Sequence, residues 1–165
     1  MKPRHRQGGF TYLGLLFFVA ILGVGLGMAG ELWSVQSQRD KEAELLFAGR
    51  QIRAAIQSYY DSAPAGQQRR LPSKLQDLLE DKRWPVVHRH LRRLYVDPMT
   101  GTPDWLVLAG PGGGIVGVRS RSGIRPFKQT GFEEDEDSFE GAASVGEWTF
   151  SLDTTGKGEK ASPLK

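Results

Sequence analysis

The stretch GGFTYLGLLFFVAILGVGLGMAG, residues 8–30, decides the architecture of this 165-residue chain. From residue 10 to residue 30 it holds 21 consecutive positions without a charged side chain. A helix of that length, at about 1.5 Å per residue, measures roughly 30 Å, which is the hydrocarbon thickness of a bilayer. We therefore expect residues 10–30 to form a transmembrane helix segment.

The charges before this run predict its orientation. Lys2, Arg4 and Arg6 precede it, and the positive-inside rule keeps such a flank in the cytoplasm. We expect a single pass with a cytoplasmic amino terminus and with everything after residue 30 outside. The run exceeds the apolar core of a cleaved secretory signal, about 7 to 15 residues, although small residues at 27–29 leave conventional cleavage there as an alternative.

Composition restricts the classes of partner. The chain has 22 Lys and Arg against 19 Asp and Glu, and without the three basic residues of 1–9 the charges balance. A balanced chain gives little reason to expect nucleic acid as a partner. The sequence contains 0 cysteines, so neither a disulfide nor thiol chemistry operates in it.

The helical pattern continues beyond residue 30. Leu45, Ile52 and Ile56 lie at helical spacings among charged and amide side chains. We predict one helix over residues 10–60, of which 31–61 is an amphipathic continuation that packs an apolar stripe on a globular head. Pro64 and Gly66 predict the loop that ends it.

The globular head, residues 62–153, is predicted to be of the α+β class. A short helix within PSKLQDLLED (72–81) has Ser73 as its predicted cap, with Gln76 returning a hydrogen bond. Glycine-rich GPGGG reads as a flexible hairpin connection. Three antiparallel strands are predicted, at residues 105–108, 115–118 and 148–152. Residues 154–165 are predicted to be a flexible tail.

The junction Gly9-Phe10-Thr11, behind a basic leader and before an apolar helix, resembles the prepilin-type signal of type IV pilins and type II secretion pseudopilins. The resemblance implies that a prepilin peptidase removes the leader 1–9 by cutting between Gly9 and Phe10, and methylates Phe10. Gly8 and Gly9 suit such a cut, since their poor helix propensity presents an accessible bond.

The head carries a second resemblance. YVDPMTGTPDW (95–105) is similar to the signature turn that follows the helical part of major pseudopilins. The residues that carry it are Asp97, Pro98, Gly101, Pro103 and Trp105. The family architecture implied is pilin-like: a long amino-terminal helix packed on a small antiparallel-sheet head.

The resemblance implies a function. It predicts an inner-membrane subunit with a periplasmic head, which polymerises through its helix into the pseudopilus of a type II protein secretion system. The implied partners are like and unlike pilin-type subunits, the prepilin peptidase, and an inner-membrane assembly platform with a cytoplasmic ATPase. Alternatives are a type IV pilin or minor pilin for adhesion or DNA uptake, and a monomeric signal-anchored periplasmic binding module.

One position departs from the family. Members usually carry a glutamate four positions after the cut, where it is thought to pair with a neighbour's terminal amine, and this chain has Gly14. Its absence removes an assembly contact and leaves a major, minor or tip position open. Four further glycines predict helix melting or close helix packing, each weakening the helix by roughly 1 kcal/mol relative to alanine. They are Gly23, Gly25, Gly27 and Gly30.

Other signals do not predict a site. His88 and His90 lie two apart, which points them to opposite sides of a helix, so no metal site is expected unless the segment is extended. EEDEDSFE (133–140) is expected to be a solvated acidic loop, with calcium as the weaker alternative because the EF-hand spacing is missing. The sequence shows no nucleophile elbow, metal pair or paired carboxylates by their spacing, so we do not expect an enzyme. No cofactor is expected either.

Overall fold

The computed structural model describes residues 10–152, except the side chains of residues 10, 11, 24–32 and 111. The predicted leader 1–9, with Gly9, and the predicted tail 154–165 lie outside the described residues. Helix α1 spans Phe10–Asp61, 52 residues. The prediction of one helix over residues 10–60 is therefore confirmed.

The chain divides into two units. The first comprises residues up to Gln38, and the second begins at Arg39. Of the first unit the structure describes only α1 residues. The second unit holds the rest of α1, the sheet and several short 3-10 helices.

One face of α1 supplies 7 of the 20 buried hydrophobic residues that form the second unit's described core. Most of these positions are three or four residues apart, which is the helical period. They are Leu45, Leu46, Ala48, Ile52, Ala55, Ile56 and Tyr59. Gly49 on this face faces the Phe150 ring so closely that a Cβ there would lie 2.4 Å from ring carbons. The absence of a side chain at Gly49 therefore sets how closely helix and sheet approach.

Three antiparallel strands form one sheet in the order β1-β2-β3: β1 Leu106–Ala109, β2 Ile115–Arg119 and β3 Thr149–Ser151. Each lies within one residue of its predicted bounds. Val118 in the central strand pairs with Val107 on one side and Phe150 on the other. The connection after β1 turns at Gly112 and Gly113, whose φ angles of 77° and 81° favour glycine.

The short helix after the loop differs from its prediction. It is a 3-10 helix, Leu75–Leu78, and its capping group is not Ser73 or Gln76. The Asp77 carboxylate instead accepts hydrogen bonds from the backbone N–H groups of Ser73 and Lys74, both at 3.0 Å. A carboxylate is the stronger acceptor, and its first-turn position also suits the helix dipole.

The prediction of a solvated acidic loop at residues 133–140 holds for the exposed acids but was wrong for Glu136 and Phe139. The segment forms a 3-10 helix, Glu134–Phe139, in which Glu136 and Phe139 are buried. Phe139 stacks on Trp148 at 5.9 Å between ring centroids and meets Phe150 edge-on at 5.2 Å. These aromatic contacts bury Phe139 although the residues around it are acidic. The fold is α+β, with a small three-stranded antiparallel sheet.

Candidate functional site

Part of α1 in the first unit carries exposed apolar side chains. Every described side chain of residues 12–23 in α1, here called the exposed helix segment, is exposed. Phe17 is 64% exposed and Ile21 68%. Large contiguous apolar surface of this kind marks contact with lipid or another protein.

Two of the predicted glycine sites lie in this segment. A Cβ placed at Gly14 or Gly23 would meet nothing within 4 Å, so both positions accept a side chain. Phe10, Gly25, Gly27 and Gly30 lie in α1, but the surroundings of their side-chain positions are outside the described residues. Within the part of the chain that the structure describes, no helix is both long and apolar enough to cross a membrane.

The predicted signature turn, within residues 95–105, is held together by hydrogen bonds to Asp97. Its backbone pairs with Thr102, and the Gly101 N–H donates to the Asp97 carbonyl at 2.8 Å. The buried Asp97 carboxylate accepts hydrogen bonds from the Met99 N–H at 2.9 Å and the Ser120 hydroxyl at 2.6 Å. Gly101 has a φ of 75°, as the tight turn requires. Asp97 therefore fastens the turn to the residue that follows β2.

The other signature residues divide between core and surface. Trp105 is buried, and its indole Nε1 donates to the Tyr95 carbonyl at 2.8 Å. Pro98 is half-buried, whereas Pro103 is exposed. Asp97, Gly101 and Trp105 thus have structural roles in the turn. The side of the turn that carries Pro103 faces solvent.

Arginine side chains pair with the acidic segment 133–140, for which calcium binding was the alternative prediction. Oxygens of Glu133, Asp135 and Glu136 lie close enough to share an ion. However, Arg50 contacts Glu133 at 2.7 Å and Glu136 at 2.6 Å, and Arg53 contacts Asp135 at 2.5 Å. Guanidinium groups already neutralise these carboxylates, so the cluster favours an ion-pair network over a cation site.

A second titratable cluster involves the two histidines. His88 and His90 lie on either side of Arg89 in a non-helical segment, and Asp81 forms an isolated antiparallel bridge with His88. His88 Nδ1 lies 3.3 Å from His90 Nε2, which lies 3.2 Å from Asp81 Oδ2. The two-residue spacing was expected to separate the rings on a helix, and the rings lie together here because the segment is not helical. We call these three residues the Asp81–His cluster.

Two neighbours hold this cluster. Arg83 donates from its backbone N and from Nε to Asp81 Oδ1, at 3.0 and 2.9 Å, and from Nη2 to Oδ2 at 2.6 Å. Its guanidinium also lies 3.6 Å from the centre of the Tyr59 ring. On the other side, Ser58 Oγ of α1 lies 2.9 Å from His90 Nδ1. Both neighbours connect the cluster to α1.

The surroundings of Asp81 and His90 set the protonation states of these two side chains. Burial raises the pKa of Asp81, but hydrogen bonds from Arg83 and His90 outweigh it and lower that pKa to about 2. Burial lowers the pKa of His90, and the contact with Asp81 offsets this only in part. At neutral pH the pair is a carboxylate beside a neutral imidazole.

Sequence reasoning missed Asp81, Ser58 and Arg83 as members of one cluster. The available signal was the alternation His88-Arg89-His90, which on extended backbone puts both imidazoles on one side. Comparisons with protein-family models, curated proteins and solved structures find no match to this chain.

Proposed function

We propose that the chain is the precursor of a structural subunit of a periplasmic pseudopilus in a type II protein secretion system. A prepilin peptidase cuts it between Gly9 and Phe10 and methylates Phe10, and the subunit polymerises through its amino-terminal helix. The observation that carries the proposal is the Gly9-Phe10-Thr11 junction between a basic leader and 21 uncharged positions.

The exposed helix segment supports polymerisation. Its described side chains are exposed and mostly apolar, so burying them against lipid or against neighbouring helices is favourable. A subunit of this kind is held by lipid before assembly and by packing against like helices afterwards. The single-pass inner-membrane anchor rests on the sequence run of residues 10–30 and on the positive flank before it.

The second unit supports a pilin-like head. A helix face packed on a small antiparallel sheet, with a turn fastened by Asp97, agrees with the architecture that the resemblance implies. The head of this subunit decorates the filament and contacts like and unlike neighbours, and an assembly platform with a cytoplasmic ATPase drives the filament. Gly14 removes the carboxylate that members of that family usually offer to a neighbour's terminal amine, and the position in the filament, major, minor or tip, stays open.

Amino-terminal sequencing and intact mass test the proposal. The full chain, expressed in its native host with the prepilin peptidase, is expected to begin with methylated Phe10, and in a host lacking the peptidase with Met1. Gly9→Val should block the cut because a branched side chain replaces the small residue at the scissile bond, whereas Gly8→Ala, the matched control, should not.

Three outcomes would overturn it. Met1 retained in both hosts favours an uncleaved signal-anchored binding module. A terminus after residue 29 indicates conventional cleavage and removes the helix needed for assembly. Long surface filaments containing the chain, with secretion intact in its absence, favour a type IV pilin instead.

A further inference from the structure

We propose that the Asp81–His cluster is a binding site for a divalent transition-metal ion of the zinc type. Asp81 Oδ2, His88 Nδ1 and His90 Nε2 are its three protein ligands, and a fourth position is open to water. The site lies wholly in the second unit and is independent of the proposed role in a filament.

Two of the three distances between the donor atoms are those of a zinc coordination shell. Zinc binds imidazole nitrogen at about 2.0 to 2.1 Å in tetrahedral geometry, which puts neighbouring ligand atoms about 3.3 to 3.4 Å apart. The two contacts around His90 Nε2 measure 3.3 Å to His88 and 3.2 Å to Asp81. All three ligand atoms lie within 4.8 Å of one another.

Hydrogen bonding alone accounts poorly for this convergence. An imidazole nitrogen has one in-plane direction, carrying either a proton or a lone pair. His90 Nε2 nevertheless has two partners, a carboxylate oxygen that needs a proton from it and another ring nitrogen. A cation between the three atoms satisfies all of them, because each directs a lone pair toward it.

The surrounding contacts are those that orient metal ligands. A ligating histidine usually donates its other ring N–H to a fixed acceptor, and His90 Nδ1 has Ser58 Oγ at 2.9 Å. Ligating carboxylates are also held by hydrogen bonds, as Arg83 holds Asp81. The guanidinium occupies part of the carboxylate, and the remaining lone pairs of its two oxygens suffice for one metal bond.

The ligand set selects the class of ion. Two imidazoles with one carboxylate suit zinc, whereas calcium and magnesium require mostly oxygen ligands. His88 is exposed, which gives the ion a path from solvent. The bound ion would join residues 81–90 to α1 through Ser58, and so act as a structural clip within the second unit.

Zinc titration of the purified full-length protein in detergent tests the site. We expect about one Zn²⁺ per chain by calorimetry, and a zinc-dependent rise in Tm. His88→Ala removes an exposed ligand and is expected to weaken zinc binding at least about tenfold while leaving the metal-free Tm unchanged. Arg89→Ala, at the exposed position between the histidines, is the matched control and should bind zinc as the unaltered chain does.

Visible absorption of bound Co²⁺ tests the site without any variant. Co²⁺ bound in tetrahedral nitrogen and oxygen coordination is expected to give visible absorption bands, which Zn²⁺ abolishes and Ca²⁺ does not. No zinc binding by the unaltered chain would overturn the proposal and leave a hydrogen-bonded cluster. Equal binding by His88→Ala, or displacement of Co²⁺ by Ca²⁺, would also overturn it. Leader cleavage is unaffected by any of these results, so the two proposals fail separately.

Discussion

Arg50 on α1 holds the buried carboxylate of Glu136 with two parallel hydrogen bonds, from Nε at 2.7 Å and from Nη2 at 2.6 Å. The hydrogen bond with Glu136 raises the pKa of Arg50, and the neighbouring acidic charges add to this against the effect of burial. Glu136 is fully buried, so this pair fixes the acidic 3-10 helix to the long helix.

Replacing Glu136 with Gln should destabilise the second unit by about 2 kcal/mol. The variant removes the buried one of the two carboxylates that Arg50 contacts, and the remaining pair with Glu133 and the 31% exposure of the Arg50 side chain keep the loss below that of a fully buried pair. Urea unfolding followed by circular dichroism measures it. Glu134→Gln, at an exposed position in the same segment, should change stability by less than about 0.5 kcal/mol. Equal effects of the two substitutions would contradict this account of the pair.

Gly49→Ala should destabilise the second unit by about 1 to 3 kcal/mol, because the added methyl would lie 2.4 Å from the Phe150 ring. Gly23→Ala is the matched control on the same helix, where a Cβ meets nothing within 4 Å. Phe150→Leu added to Gly49→Ala should cost less than the sum of the two single changes. Strict additivity in that double-mutant cycle would show that the ring does not limit the approach.

Glu42→Ala should expose the backbone of residues 127 and 128. The buried Glu42 carboxylate accepts hydrogen bonds from the N–H groups of Phe127 at 2.8 Å and Lys128 at 3.0 Å. Leaving these donors without that acceptor is expected to cost about 2 kcal/mol and to speed their hydrogen exchange. Glu44→Ala, at an exposed position two residues on, should leave both rates unchanged. Unchanged exchange in Glu42→Ala would rule out this carboxylate as the anchor of the loop.

Gly14→Glu should increase contacts between neighbouring subunits. It supplies the carboxylate that the prepilin-type proteins this chain resembles carry near a neighbour's terminal amine, and a Cβ at this position meets nothing within 4 Å. The yield of chemical crosslinks between subunits in cells measures the effect, with uncharged Gly14→Gln as the control. Similar yields for Glu and Gln would mean that the charge at this position does not affect assembly.

Local sequence patterns predicted most of the fold. The spacing of Leu45, Ile52 and Ile56 predicted the buried helix face, and a glycine-rich connection between apolar runs predicted the hairpin. These features depend on residues close in sequence, so the period of hydrophobicity and the turn chemistry suffice.

The errors have two causes, which are partners outside the local pattern and competition between neighbouring side chains. Glu136 is buried because Arg50, 86 positions earlier, neutralises it, and no local pattern within EEDEDSFE indicates this. The Asp81–His cluster depends on an isolated bridge between Asp81 and His88, which no local pattern indicates either. The cap at Asp77 was missed because Ser73 and Gln76 are also capping residue types close to the start of the helix. The carboxylate of Asp77, the strongest acceptor of the three, accepts the hydrogen bonds from the backbone N–H groups.

Photo-crosslinking from the exposed helix segment measures polymerisation directly. A benzoyl-phenylalanine introduced in place of Phe17, which is 64% exposed, should form ladders of crosslinked subunits in cells with the assembly ATPase. In cells lacking the ATPase the ladders should shorten to monomer and lipid adducts. Processed chain that gives only monomer in both kinds of cell would contradict assembly through this helix.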